Sequence, residues 1–142
     1  MRIRLLMLGK TRRPELCAVL QEYVKRIGRW WPTEVTEVRD GAMALKKLSL
    51  TRSATAVLLD AAGKAYDSTA FSKWLGEHRD RGTHEIIFLC GDADGFPQHL
   101  REQVRQTVSL SAMTYSHELA RVMLAEQIYR ALAILSGSPY PK

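Results

Sequence analysis

The chain has 142 residues, 46% hydrophobic and 25% charged, the balance of one ordinary folded domain with a core of its own. No apolar run reaches the roughly 18 residues of a membrane span, and the apolar part of the opening "MRIRLLMLG" is too short for a signal peptide. The formal net charge is +6, and the whole excess lies in residues 1–70, which hold 13 Lys/Arg against 7 Asp/Glu; residues 71–142 hold 8 against 8.

A basic surface on one side is the footprint of a polyanion binder, because neutralised phosphates release counterions. Charge alone fits a merely soluble basic protein equally well. Cys17 and Cys90 sit in apolar settings without a CxxC or a Cys/His cluster. The expectation is therefore a reduced, cytoplasmic protein with neither disulfide nor metal.

In chain order, "RIRLLMLGK" alternates and then runs apolar, as a buried strand does. Pro14 suits the first position of a helix, and Glu15 its positive end. Leu16, Val19, Leu20, Tyr23, Val24 and Ile27 follow helical spacing, and Gly28 can end that helix. "EVTEVRD" reads as a short strand, and Ala42–Leu48 as a short helix. "ATAVLLDAAGK" is a strand covered on both faces and closed by Gly63. Ser68 can cap a helix through about Arg79, with Phe71, Trp74 and Leu75 inward. "EIIFLCGDADG" is a buried strand emptying into a Gly/Asp loop; Pro97 opens a short helix through Val104; "TVSLSAMT" reads as the last strand before a final helix.

Strands alternating with helices predict a single α/β domain, residues 1–142, with a largely parallel sheet. Ligands of such sheets bind beyond the carboxyl ends of the strands, here "GKTRR", "DAAGK", "GDADG" and "SAMTYS". "GDADG" is neither a Walker loop nor a dinucleotide fingerprint, and it fits a tight strand-to-helix turn as well as a ligand contact. Asp92 and Asp94 lack the third carboxylate that a magnesium site needs. His117 begins the last helix, where a cap or packed side chain is as natural as a general base. Trp30 and Trp31 suit stacking on bases and equally suit filling a core edge.

The last helix is apolar on more than one side, with Leu119, Val122, Met123, Leu124, Ile128, Leu132 and Leu135. Its few polar positions include Glu126 and Arg130, spaced i, i+4 for an ion pair. A lone three-layer domain is expected to cover one side, so a homodimer packed through this helix is the expectation.

Together the motifs are specific. "LSAMT", then "H-L-RV-L-EQ-YRA" and a tail with Tyr and a basic residue, are joined by "LLMLGK", "EYVKRIG", "LLDAAGK" and "LCGDADG". Along nearly its whole length the chain resembles the RlmH-type 23S rRNA (pseudouridine-N3)-methyltransferases of the SPOUT superfamily. The resemblance implies a SPOUT-type, trefoil-knotted α/β fold, which general topology rules exclude. It also implies a homodimer, S-adenosylmethionine as methyl donor, and N3 of a pseudouridine in 23S rRNA of the large subunit or assembled ribosome as acceptor.

Carried over residue by residue, the cofactor pocket uses Leu59, Gly91, Leu110, Ser111, Ala112, Met113, Thr114 and Tyr115. The substrate side uses Arg130, Tyr140, His117 and Lys142, with the tail serving the partner's pocket. Three positions depart from the family pattern: Asp92 replaces a second glycine, Ser116 a proline, and Pro141 the histidine after the tail tyrosine. The last change keeps two alternatives open, a non-catalytic ribosome- or RNA-binding dimer of this fold and a methyltransferase of tRNA.

Overall fold

The computed structural model describes residues 1–51 and 53–140. In chain order the elements are β1 (Arg2–Leu8), α1 (Pro14–Ile27), β2 (Thr33–Val38), α2 (Gly41–Ser49), β3 (Thr55–Ala65), α3 (Ser68–Asp80), β4 (Glu85–Cys90), α4 (Gln98–Gln103), β5 (Gln106–Ser109) and α5 (His117–Ser136). The five strands form one parallel sheet in the order β2-β1-β4-β3-β5.

Period-two alternation sorts the strand side chains into two cores. Ile3, Leu5, Met7, Ile86, Phe88 and Cys90 face α1, α3 and α5, whereas Leu6, Leu8, Ile87 and Leu89 face the smaller pair α2 and α4. Both faces of β1 and β4 are therefore covered, which explains their nearly unbroken apolar sequences. The first core is the larger and takes in the buried length of α5 from Val122 to Leu132.

Local chemistry sets the helix ends. Pro14 occupies the first turn of α1, and the carboxylates of Asp40 and Asp67 accept from the N–H groups of Met43 and Ala70, at 3.0 and 2.7 Å. Ser116 caps α5 by accepting from Leu119 N–H at 3.4 Å, and Gly137 closes it in the left-handed conformation at φ +74°.

Three expectations need correction. Gly63 does not close β3, which runs on to Ala65; a Cβ there would stand 2.8 Å from Thr107 Cβ, so the glycine marks close approach of β5. Asp67, not Ser68, caps α3, and the Ser68 hydroxyl instead donates to Gln127 on α5 at 2.8 Å. The last strand stops at Ser109, and residues 110–116 form a loop. Gly28 does end α1, but with φ −60°, so any residue would fit its backbone.

α5 is covered on three sides within one chain, by the sheet, α1 and α3. Ser72 Oγ donates to Ala131 O at 2.9 Å, and a Cβ on Gly76 would stand 2.9 Å from Leu135 Cδ2, so α3 and α5 lie close together. The apolar excess that suggested an external cover is thus largely buried internally. What stays open is Leu119 and Ile134, 39% and 41% exposed, and an apolar groove of about 510 Å3 along Val19, Tyr23, Tyr66, Phe71, Val122 and Met123.

Candidate active site

A second cleft, of about 440 Å3, opens beyond the carboxyl ends of β4 and β5, beside the middle of β3 at Leu59, Asp60 and Ala61. This is where parallel sheets bind ligands, and the volume lies in the usual range for a small organic molecule. Leu59, Gly91, Leu110, Ser111, Met113, Thr114 and Tyr115 line it, together with His117. Ala112 belongs to the same loop but is exposed and stands outside the wall.

The loop after β5 is shaped by its own serines. Ser109 Oγ lies 3.0 Å from Ala61 O and 2.9 Å from Ser111 O, and Ser111 Oγ accepts from Met113 N–H at 3.0 Å. These local bonds compete with a sheet ladder and explain why the apolar-looking "LSAM" does not continue the strand. Met113 ends up 73% exposed at the cleft, an apolar side chain left in water at the site's edge.

The loop after β4 is tighter still. Asp92 Oδ1 accepts from Asp94 N–H at 2.8 Å, Gly95 N–H donates to Asp92 O at 3.0 Å, and Gly95 has φ +78°. A Cβ at Gly91 would lie 2.9 Å from Gly95 O and 3.0 Å from Gly95 C. Gly91 is therefore required by the chain's own turn. Asp92 has a structural task where the family pattern has glycine.

Sequence reasoning missed three groups. Asp60, in the wall, accepts from Arg101 Nη1 across the cleft and from Ala62 N–H at 3.0 Å. The Arg101 hydrogen bond and then the Ala62 amide hold its carboxyl below the usual aspartate range. Arg121 is fully buried; its guanidinium donates to Leu8 O at 2.6 Å, Thr11 Oγ1 at 3.0 Å and Gly9 O at 3.2 Å, and reaches Gly91 O at 3.5 Å. Glu118 accepts from the N–H groups of Arg12 and Arg13, at 2.8 and 2.9 Å. The available signal was an acid and a base at i, i+3 near the start of a mostly apolar helix. Cys90 lies in the wall too, where burial pushes its thiol up to about 12.

Arg130 and Tyr140 are elsewhere. Arg130 Nε donates to Glu126 Oε1 at 3.0 Å, and Tyr140 folds back so that its hydroxyl donates to the same oxygen at 3.1 Å. The Tyr140 ring lies 4.6 Å from that of Tyr129, which Trp30 stacks on at 5.3 Å. Trp31 packs against the main core, whereas Trp30 is 37% exposed. Burial and then a hydrogen bond with Tyr23 raise the Tyr140 hydroxyl above the ordinary tyrosine value. Thirteen residues of helix separate His117 from Arg130, a rise of about 20 Å, so one chain does not bring the two into one cleft. Lys142 and Pro141 lie outside the described residues.

A ligand-sized cleft walled by the loops after two parallel strands and by the middle of a third, with no glycine-rich phosphate loop, defines a cofactor-binding α/β protein. The chain belongs to the SPOUT methyltransferase family: the family model described as predicted SPOUT methyltransferase matches residues 1–141. Among curated relatives, a ribosomal RNA large subunit methyltransferase H from Trichlorobacter lovleyi is 39% identical, over 99% of each chain. One of the same name from Solibacter usitatus is 41% identical, again over 99% of each. Among solved structures, the SpoU methyltransferase AviRb of Streptomyces viridochromogenes superposes with TM-score 0.58 at 15% identity, over 97% of this chain and 61% of that one. A TrmH/SpoU tRNA modifying enzyme from A. aeolicus gives 0.54 at 9% identity, over 99% and 81%. The chain thus spans about three-fifths of AviRb, and these two likenesses concern the fold.

Proposed function

We propose that this protein transfers a methyl group from S-adenosylmethionine to N3 of a pseudouridine in 23S ribosomal RNA, as a cytoplasmic homodimer with a composite active site. The observation that carries the reading is the end-to-end match to relatives named as large-subunit rRNA methyltransferases. The cleft's chemistry suits the donor. Leu59, Met113 and Ala120 give apolar walls for an adenine, and Ser111, Tyr115 and main-chain groups give polar contacts. When bound, the donor supplies a methyl group on a sulfonium, which needs no metal for its transfer.

The chain's own part is to position the acceptor and receive its N3 proton, and positioning alone supplies on the order of 7–11 kcal/mol in well-oriented systems. His117 in the cleft wall is the natural proton acceptor; its Nε2 lies 3.9 Å from Glu118 Oε2. Arg130 and Tyr140 contact the uracil-like ring or a neighbouring phosphate in the partner's cleft, since about 20 Å of helix keeps them from their own. Two features support the dimer: that separation and the open apolar groove beside α1 and α5. Val108 pairs with both Leu59 and Lys64, so the segment between them leaves β5 and returns to the same residue. That excursion is a bulge in β3; what supports a threaded, trefoil path for a single domain spanning residues 1–142 is the family match over residues 1–141.

The test is to incubate the protein with labelled donor and large subunits or ribosomes from cells lacking the modification, then map the label. Label at one pseudouridine is expected. Donor binding without transfer would replace this reading with a non-catalytic RNA-binding dimer, and label on tRNA would move the substrate.

A further inference from the structure

The loop joining β1 to α1, Gly9–Arg13, is exposed and carries three cations in four residues, yet nearly all of its main chain is tied down. Gly9 N–H donates to Val38 O at 2.7 Å, Thr11 N–H to Glu37 Oε2 at 2.9 Å, and Arg12 and Arg13 N–H to Glu118 Oε1. From the other side Arg121 donates to the carbonyls of Leu8 and Gly9 and to Thr11 Oγ1. A surface connection ordinarily has no such support. Sinking a carboxylate and a guanidinium into the structure adds little packing; the best-attested use of such groups is to fix one arrangement.

What they fix is a set of available positive charges. Lys10 and Arg12 are exposed, and neither forms an ion pair among the described residues. Arg13 pairs at 2.9 Å with Glu15, but both are more than half exposed, where such pairs are weak. The neighbouring acids Glu37 and Glu118 are engaged with backbone amides. The loop also shares its anchors with the cleft: Arg121 reaches Gly91 O, and Glu118 follows His117, both Gly91 and His117 being wall residues.

We propose that Gly9–Arg13 is a preset cationic ledge that seats RNA phosphates flanking the target base beside the cleft, with Glu118 and Arg121 as positioning residues that hold it. The ledge rests on the rRNA reading above for its ligand. Arg12 and Lys10 contact phosphates, which carry no sequence information but set the register of the strand.

The experiment measures binding of large ribosomal subunits, from cells lacking the modification, against salt concentration for the full-length protein and for Lys10→Gln/Arg12→Gln. Each lost phosphate contact flattens the log–log slope by about 0.7–0.9, so the double variant is expected to lose about 1.5. A slope equal to wild type overturns the ledge. Glu118→Gln adds a unit of net positive charge while loosening the loop. Simple attraction then predicts a lower KM for subunits; the ledge predicts a rise of about fivefold. An unchanged or lowered KM overturns the positioning role, and if this variant does not fold, the exposed double variant still decides. Because the slope is read from binding, wild-type protein that binds subunits without methylating them defeats the enzymatic reading alone.

Discussion

Replacing Arg121 by Met keeps most of the side chain's volume but removes the guanidinium at the centre of the molecule. The carbonyls of Leu8 and Gly9 would lose their donor, at about 1–3 kcal/mol each if they stay dry. Relief from burying a charge offsets part of this, leaving a net loss of about 3 kcal/mol. The unfolding entropy of about 2.1 cal/mol/K per residue gives roughly 0.3 kcal/mol/K for a chain of this length, so Tm should fall by about 10 °C. Scanning calorimetry checks this, with both proteins at one concentration because a dimer's Tm depends on it. Arg121→Lys retains the charge without the fork and should recover part of the loss. A Tm for Arg121→Met within about 2 °C of wild type would show that the guanidinium is not what joins the ends of β1 and β4 to α5.

Gly91→Ala places a methyl group against the Gly95 backbone, so the loop must shift; calorimetric titration should show donor affinity falling while the far side of the sheet stays folded. Arg130→Ala should slow methyl transfer far more than it weakens donor binding, and equal losses would assign Arg130 to its helical pairing with Glu126. Truncation after Pro139 should leave a folded dimer that binds donor and does not methylate; full activity would remove the tail from the site. Asp60 has a lowered folded pKa, so its contribution to stability is complete above the unfolded value of about 3.9 and disappears as pH falls through the folded one. Asp60→Asn should therefore lower Tm at neutral pH and flatten its decline in acid; an acid limb as steep as wild type would show that Asp60 is not depressed.

Much of the layout was legible because burial writes itself into period. β1 and β4 are covered on both faces and read as apolar runs, and Pro14 announced α1 without knowledge of its neighbours. Much of the cleft lining was legible as the segments after β4 and β5, although β3 runs on past the cleft and Ala112 is turned away. What failed was whatever depended on a distant partner. Gly63 looks like a terminator until Thr107 is seen beside it, and Ser68 looks like a cap until Gln127 takes its hydroxyl. Arg121 reads in the sequence only as one of α5's few polar positions. No local pattern says that strand-end carbonyls 113 residues upstream will surround it. The cover on α5 was misjudged for the same reason: its apolar sides say that something packs there, not that α1 and α3 of the same chain do.

The cleft draws on Leu59, Gly91 and Leu110, which come from three separate parts of the chain. Contacts of such long range are slow to form. A methyl donor seated there therefore binds the finished protein and not its precursors, adding about 2.7 kcal/mol of stability at a hundredfold excess over Kd. Cells rich in donor would keep more of this protein intact than starved cells, so the nutrient that fuels the reaction would also regulate the lifetime of its catalyst.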